Sequence, residues 1–197
     1  MFKISILGKA NTGKNTVSKI LRELISNKMD HFNIDQCKLI AFADPIKEIA
    51  LKMFPHIPKK HLFGSSKYRS ETIKGATKDG KLLTVRQLLI DIGTQGREYN
   101  ENIWIENYIN RFDIAQKNGA TLIITPDVRF VNEHTHLKAN NFFQIRLLRG
   151  TQNKIDHISE TGQDMILDSS FDYVLYNNKT LTDLREDIET NIIPKLK

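Results

Sequence analysis

Residues 3–16 read KISILGKANTGKNT, and the other predictions from this sequence are built on them. The apolar run FKISIL at residues 2–7 predicts a short buried strand. Gly8 ends this run, Gly13-Lys14 follows five residues later, and helical spacing begins at Thr16. A strand, a loop with the spacing G-x-x-x-x-G-K and a helix, in that order, are typical of a phosphate-binding loop.

The composition of this loop suits a polyphosphate. Glycine turns backbone N–H groups inward at low cost, and the helix that follows carries partial positive charge at its N-terminus. Such loops have Ser or Thr directly after the lysine as a magnesium ligand, whereas Asn15 stands there in this chain and the hydroxyl comes next. A plain glycine-rich turn is the alternative. The residues predicted to hold the donor phosphates are Gly8, Asn11, Thr12, Gly13, Lys14, Asn15 and Thr16.

Length and composition predict one globular domain. The chain has 197 residues, of which 40% are hydrophobic and 26% are charged, as is ordinary for soluble proteins. A single cysteine, Cys37, excludes a disulfide framework and a cysteine-rich zinc site, and its apolar surroundings predict that it is buried. No apolar run is long enough to span a membrane, and the N-terminal strand does not resemble a signal peptide, so we expect a cytoplasmic protein.

The net charge of +6 suits either nucleic acid or a small anionic substrate. We find no helix-turn-helix, zinc-finger or RNA-binding aromatic signature, and therefore do not expect a nucleic-acid partner. Much of the positive charge lies in residues 55–83, which are also rich in glycine and serine. We predict a mobile, mostly irregular insertion that acts as a flap over an anionic substrate; a solvated loop without a role is the alternative.

Four further apolar runs predict strands at residues 38–43, 120–125, 142–148 and 171–176. Amphipathic spacing predicts helices between them, at residues 16–27, 45–54, 84–99, 104–116, 130–139 and after Thr180. Thr84 is a predicted N-cap that forms a capping box with Gln87, and Thr180 is the predicted cap of the last helix. Five strands that alternate with helices indicate an α/β fold with a parallel sheet.

Ligands of such sheets bind at the carboxyl ends of the strands. We expect these side chains to meet there: the loop at residues 8–16, Asp44, Asp127 with Arg129, Arg149 and Asn177. Phosphoryl transfer needs oxygen ligands for magnesium and arginines that clamp phosphate. Asp127 and Asp44 are the candidate carboxylates, although each could instead cap the following helix. Arg129 is the first candidate clamp, ahead of Arg149, Arg86, Arg97 and Arg69, and a surface salt bridge is the alternative for each arginine.

The histidines predict no metal centre. His157 lies near Glu160 in the polar segment after the fourth strand, without further ligands at helical spacing. His134 and His136 alternate in a polar segment and are predicted to face solvent.

Several segments in the same order resemble the bacteriophage deoxynucleoside monophosphate kinases. They are GKANTGKNTVSKIL, FADPIKEIALKMF, LTVRQLLIDIGTQGREYNENIWI, IITPDVRFVNE and HISE, and they extend along almost the whole chain. The third and fourth segments are the specific ones. In that family Asp, followed by Thr, commonly comes after the loop lysine, so Asn15 departs from the pattern.

The resemblance implies a three-layer P-loop kinase fold and transfer of the γ-phosphoryl group of ATP to a deoxynucleoside monophosphate, with Mg²⁺. It implies one domain over residues 1–197, with an acceptor-side insertion at about 55–104 and a lid-like loop at about 150–168. Lys14, Asp127 and Arg129 would be catalytic, and Thr16 and Asp127 would bind the metal. Arg149 and Asn177 would join the donor site. The acceptor site would comprise Asp44, Lys47, Arg69, Arg86, Gln95, Gly96, Trp104, His157 and Glu160.

Other functions stay open at this point. Animal-type phosphomevalonate kinases and dephospho-coenzyme A kinases share the loop and the strand-end aspartate, and the net charge of +6 also suits a nucleic-acid-binding ATPase. The partners expected are ATP and a deoxynucleoside monophosphate, without a membrane, in the host cytoplasm if a phage encodes the protein. Whether it forms a homodimer stays open.

Overall fold

The computed structural model describes residues 1–28, 34–150 and 162–196, which form two compact units. Unit 1 comprises Met1–Ala41 and Tyr108–Lys197, and unit 2 comprises Phe42–Asn107. The insertion predicted at about 55–104 lies within unit 2, which begins earlier in the chain. The organisation as a single domain stays a prediction.

Unit 1 is built on the predicted five-stranded parallel sheet. Its strands are β1 (Phe2–Leu7), β2 (Cys37–Leu39), β5 (Leu122–Val128), β6 (Phe143–Leu148) and β7 (Tyr173–Tyr176). The strand order is β2-β5-β1-β6-β7, and every pairing is parallel. The strand that precedes the predicted phosphate-binding loop therefore lies at the centre, where both of its edges are paired and both of its faces are buried.

One face of this sheet carries the main apolar core. Ile4, Ile124 and Ile145 pack there with Leu21 of helix α1 (Lys14–Lys28). The C-terminal helix α7 (Leu181–Asp187) and the π-helical turn after it, Ile188–Ile192, contribute to the same core. Because burial of apolar side chains is the main favourable term in folding, this core stabilises the strand and the helix on either side of the loop.

The opposite face carries two other helices. Successive strand residues point to opposite faces, so Thr125 and Gln144 point away from the core of α1. Thr125 Oγ1 lies 2.6 Å from the hydroxyl of Tyr108 in α5 (Ile103–Lys117). Gln144 Nε2 donates to the carbonyl of His134 in α6 (Val131–Ala139) at 3.0 Å. Helices on both faces give the three-layer α/β architecture that the sequence predicts.

Unit 2 has its own small core. Its elements are α2 (Asp44–Met53), α3 (Lys59–Phe63), a 3₁₀ turn at Ser66–Ser70, β3 (Thr72–Lys78), β4 (Lys81–Thr84) and α4 (Val85–Tyr99). Ala50, Leu62, Ile73 and Leu88 come from four different elements and pack together. The predicted N-cap of α4 is confirmed, since Thr84 Oγ1 accepts a hydrogen bond from the Gln87 N–H at 3.1 Å.

The prediction that residues 55–83 are mostly irregular is wrong. Strands β3 and β4 form an antiparallel hairpin in this segment. Its turn is Asp79-Gly80, and both residues have positive φ values, 52° and 73°. Asp-Gly between two strands is a strong hairpin signal because a type I′ turn needs two left-handed residues. The high lysine and glycine content obscured that signal.

Two strands of unit 1 end at other places than predicted. β2 ends at Leu39 rather than at residue 43. The Ile40 N–H still donates to the carbonyl of Ile124, and the chain then turns into α2. β5 continues to Val128 rather than ending at residue 125.

Cys37 is buried, as predicted. Within residues 1–28, 34–150 and 162–196, none of the helices combines the length and the apolar character that crossing a bilayer requires.

Candidate functional site

The loop between β1 and α1 is wrapped around the side chain of Lys14. The lysine Nζ donates to the carbonyl oxygen of Gly8 and, at 2.7 Å, to that of Lys9. Asn11 and Gly13 have left-handed backbone conformations, with φ of 63° and 104°. Turns of this kind bring successive N–H groups to one side and form concave anion sites. The loop therefore has two left-handed residues around an enclosed lysine, which is compatible with an anion site.

This loop is anchored to the sheet through Thr12, which is fully buried. Its hydroxyl donates to the Lys9 carbonyl at 2.9 Å, and its own carbonyl accepts from Asn177 Nδ2 at 2.7 Å. Asn177 follows β7, and its backbone N–H donates to Leu148 at the end of β6 at 2.8 Å. The structure thus brings Asn177 to the loop, as the strand-end argument predicts, where it holds the loop backbone.

The helix that follows the loop presents its first turn to solvent. Asn15 and Thr16 are both exposed there, whereas Ser18 is buried and donates to the Lys14 carbonyl at 2.8 Å. The first N–H groups of a helix have no intrahelical partner and carry partial positive charge. An oxygen ligand or an anion can therefore reach this turn from the solvent side.

Asp127 and Arg129 lie beside the loop, at the carboxyl end of β5. The register of β1 and β5 shifts between Ser5 and Leu7, so Pro126 and Asp127 lie opposite a single residue of β1. Proline has no N–H to give to a ladder, and an extra residue in one strand is a β-bulge. Bulges of this kind change the local course of a strand, and Asp127 lies within this one.

The aspartate also acts on the buried Tyr108. Burial is the main cause that raises the pKa of the Tyr108 hydroxyl, and the negative charge of Asp127 raises it further. The tyrosine therefore stays protonated beneath the strand end, hydrogen-bonded to Thr125.

Glu133 is a residue of this region to which the sequence argument gave no role. Its side chain is 2% exposed, and its Oε2 accepts from the backbone N–H of Arg129 at 2.8 Å and of Phe130 at 3.2 Å. A glutamate three residues after the start of a helix is the signal that could have indicated the Phe130 contact. The contact with Arg129 has no such local signature.

The segments after β6 contribute two further contacts near the loop. Lys9 pairs with Asp164 at 2.8 Å, and Gly150 donates its N–H to Asn178 Oδ1 at 2.7 Å. Arg149, which precedes Gly150, is exposed. The predicted site residues His157 and Glu160 lie outside the described residues, as does most of the predicted lid-like loop.

The predicted acceptor residues that are described all belong to unit 2. Asp44 begins α2 and pairs with Lys47 at 2.9 Å, and the ammonium of Lys47 lies 5.2 Å from the ring centre of Phe63. Arg69 donates to the carbonyl of Leu62 at 3.5 Å. A carboxylate and an ammonium therefore lie side by side at the start of α2, on a partly exposed surface.

Helix α4 and the start of α5 carry the remaining acceptor residues. Gln95 is exposed and donates to Glu98 Oε2 at 2.6 Å. Trp104 is 3% exposed, its indole N–H donates to the carbonyl of Gly93 at 2.9 Å, and its ring lies so close to Gly96 that a Cβ there would meet it at 2.4 Å. Trp104 and Gly96 therefore hold α4 and the start of α5 together. Arg86 is half-buried in the first turn of α4.

The prediction that His134 faces solvent is wrong. His134 is 5% exposed and packs against Phe171 with ring centres 4.6 Å apart. Burial lowers its pKa most, and the positive charges of Lys138 and Arg146 lower it further. The sequence around His134 is polar although the residue is buried, because α6 packs on a polar part of the sheet, beside Gln144.

In the part of the chain that the structure describes, no three His, Cys, Asp or Glu side chains are grouped so that they could hold a metal ion.

Comparison with known proteins gives one informative relative. No protein-family model matches the chain. A "Putative deoxynucleotide monophosphate kinase" of Acanthamoeba polyphaga mimivirus is 28% identical over 203 aligned residues, which cover 95% of this chain and 94% of the relative. The predicted resemblance to the deoxynucleoside monophosphate kinases is confirmed. The likeness extends through both units rather than through the loop alone.

Proposed function

We propose that this protein is a magnesium-dependent kinase of deoxynucleoside monophosphates, which converts ATP and a dNMP into ADP and a dNDP for DNA synthesis. The observation that carries the proposal is the loop at residues 8–14. It wraps around the Lys14 ammonium, has left-handed residues at Asn11 and Gly13, and leads directly into α1. The similarity to the mimivirus protein over 95% of the chain supports the choice of substrate class.

In this proposal the loop binds the phosphates of ATP. The Lys14 ammonium leaves the carbonyls of Gly8 and Lys9 and pairs with the β- and γ-phosphates, which are stronger acceptors because they are charged. Asn11, Thr12 and Gly13 give the loop its form, and Asn177 fixes it. Arg149 is the further cation on this side of the site.

Arg129 is proposed to bind the phosphoryl group while it is transferred. An oxygen of the acceptor phosphate forms a bond to the γ-phosphorus, while the bond from that phosphorus to the β,γ-bridging oxygen breaks and ADP leaves. Such a reaction depends on position and on neutralisation of charge more than on covalent chemistry. Arg129 fits this role because a guanidinium can bind two phosphate oxygens at once.

The residues present fit a magnesium ion. The Thr16 hydroxyl on the exposed first turn of α1 and the half-buried Asp127 carboxylate are hard oxygen donors, which Mg²⁺ prefers. When bound, the ion would neutralise charge on the phosphates. Thr16 would supply the hydroxyl that the position of Asn15 lacks.

The acceptor dNMP is assigned to unit 2. Asp44, Lys47, Arg69, Arg86 and Gln95 would contact it, with Gly96 and Trp104 shaping the packing beside them. The hairpin of β3 and β4 carries the basic side chains that attract an anionic substrate. His157 and Glu160 are proposed for the lid-like loop on the strength of the family resemblance.

The test is a substrate panel with a matched pair of variants. The protein with ATP and Mg²⁺ is incubated with each of the four dNMPs, with phosphomevalonate and with dephospho-coenzyme A, and ADP release is measured. We expect turnover with at least one dNMP and with neither of the other acceptors. Lys14→Ala should lower kcat/KM by about 10²-fold or more, on the scale of losing a donor aimed at developing charge.

Lys19→Ala is the control, because Lys19 is an exposed lysine of the same helix outside the loop. It should keep full activity, and circular dichroism should show both variants folded. Turnover with none of the dNMPs would refute the proposed function, and full activity of Lys14→Ala would remove Lys14 from its role. A thermal-shift screen against the four dNMPs then ranks them, since bound substrate raises the melting temperature by mass action.

A further inference from the structure

The carboxylate of Glu133 makes more contacts than a helix cap needs. In a capping box the side chain at the third helical position accepts from the N–H of the N-cap residue alone. Here the bond to the N-cap, Phe130, is 3.2 Å long, and a shorter bond of 2.8 Å goes to the residue before it, Arg129. One oxygen atom thus fixes two consecutive N–H groups.

The surroundings make this anchor stiff. Glu133 is 2% exposed, so water does not compete for its oxygen. Its own backbone N–H donates to the Asn132 side chain at 3.0 Å. A hydrogen bond in a buried, low-dielectric setting is electrostatically stronger than the same bond in water.

A second anchor lies on the other side of Arg129. Val128 pairs with Leu7 at the end of β1, directly before Gly8 of the phosphate-binding loop. The segment from Val128 to Phe130 is therefore held by the sheet at one end and by Glu133 at the other. Arg129 lies between the two anchors, and Asp127 lies just before the first one.

We propose that Glu133 is a positioning residue of the reaction, which fixes the backbone of Arg129 so that its guanidinium meets the phosphoryl group in transfer. This inference rests on the proposed function. It predicts a defect in kcat rather than in ATP binding, because the loop that binds ATP keeps its own anchor at Asn177. A misplacement of about 1 Å at a catalytic group can cost about 10²-fold in rate.

The experiment measures kcat and KM for Glu133→Ala and Glu133→Gln with the best dNMP of the panel. We expect Glu133→Ala to lower kcat by about 10- to 100-fold with little change in the KM for ATP. Glu133→Gln keeps a side-chain oxygen that can accept both N–H groups, and it should recover most of the lost rate. Equal losses in both variants would contradict a role through these two bonds.

The decisive arm is a double-mutant cycle with Arg129→Ala. If Glu133 acts through Arg129, Glu133→Ala should cost little further kcat once Arg129 is gone, because residues that act as a unit are not additive. Additive losses would overturn the proposal. If the wild-type protein turns over no dNMP, the proposed function fails first, and this inference fails with it.

Asp172→Ala is the matched control for loss of a structural bond. Asp172 also accepts a backbone N–H with its carboxylate, from Gln144 at 2.7 Å, but it precedes β7 and lies at the amino ends of the strands, whereas the loop lies at their carboxyl ends. It should lower the melting temperature while leaving kcat unchanged. A Glu133→Ala variant that behaves in the same way would show that Glu133 only caps α6.

Discussion

Gly13 combines a left-handed backbone with little room for a side chain. Its φ is 104°, which L-residues rarely adopt, and a Cβ there would meet Asn177 Nδ2 at 2.5 Å. That amide is the group that holds the Thr12 carbonyl. Two costs therefore coincide at one position, backbone strain and a collision with the anchor of the loop.

We expect Gly13→Ala to lower the free energy of unfolding by about 1–3 kcal/mol, the usual cost of a strained backbone residue. It should also raise the KM for ATP, because Asn177 must move away from Thr12. Urea unfolding and steady-state kinetics measure the two effects.

Gly119→Ala separates strain from collision. Gly119 follows α5 with φ of 79°, and among the described residues other than its chain neighbours no atom lies within 4 Å of the place a Cβ would occupy. This control should lose stability through strain alone and keep its KM for ATP. A normal KM in Gly13→Ala would show that the contact between Asn177 and Thr12 is dispensable for ATP binding.

Among the elements, α4 shows how a local signal sets a boundary. Its N-cap Thr84 accepts from the Gln87 N–H at 3.1 Å, as the spacing predicts. The reciprocal half of the predicted capping box does not form. Gln87 instead donates from its side chain to Asp91 at 2.9 Å, and Asp91 also pairs with Lys78 of the hairpin at 2.7 Å. A contact with a distant strand thus competes with a purely local one.

Thr84→Ala should lower the free energy of unfolding by ~1 kcal/mol, since one N–H at the start of the helix loses its acceptor. Thr94→Ala, at an exposed position in the middle of α4, is the control. Alanine has the higher helix propensity, so this change should be neutral or slightly stabilising. Urea unfolding of the three proteins gives the comparison, and equal losses at both positions would argue against the cap.

At the scale of the whole molecule, buried histidine makes stability depend on pH. The pKa of His134 is lowered by burial and by Lys138 and Arg146, while Asp172 and Gln144 oppose the shift. The pKa of His136 on the same helix is also lowered by burial. A depressed pKa in the folded state means that the unfolded chain takes up protons first as pH falls.

The contribution of these two histidines to the free energy of unfolding should therefore be constant above pH 6.5, the pKa of histidine in the unfolded chain. It should fall as the pH drops below that value. His134→Phe keeps a ring against Phe171 and should weaken this dependence without removing it, because His136 remains. His56→Gln, at an exposed histidine, should leave the dependence unchanged. Urea unfolding at several pH values tests this, and an unaltered slope in His134→Phe would contradict it.

Whether a prediction agrees with the structure depends on how far apart in sequence the interacting residues are. The sequence correctly predicts features that depend on neighbouring residues. These are the strand before the loop, the N-caps at Thr84 and Thr180 and the buried Cys37. The hairpin at residues 72–84 was also a local signal, carried by Asp79-Gly80, which the composition of the segment masked. The polar pattern around His134 led to a wrong prediction of exposure, because the burial of this side chain depends on which part of the sheet α6 covers.

By itself, then, the sequence determined the strand, loop and helix of the proposed phosphate site and the alternation that makes a parallel sheet, because apolar period and glycine spacing are local properties of the chain. Only the tertiary structure decided that Asn177 holds Thr12, that Lys9 meets Asp164 and that the register of β1 and β5 shifts at Asp127. These contacts join residues that are distant in sequence or depend on strand register. They follow from strand order and packing, which no local pattern encodes.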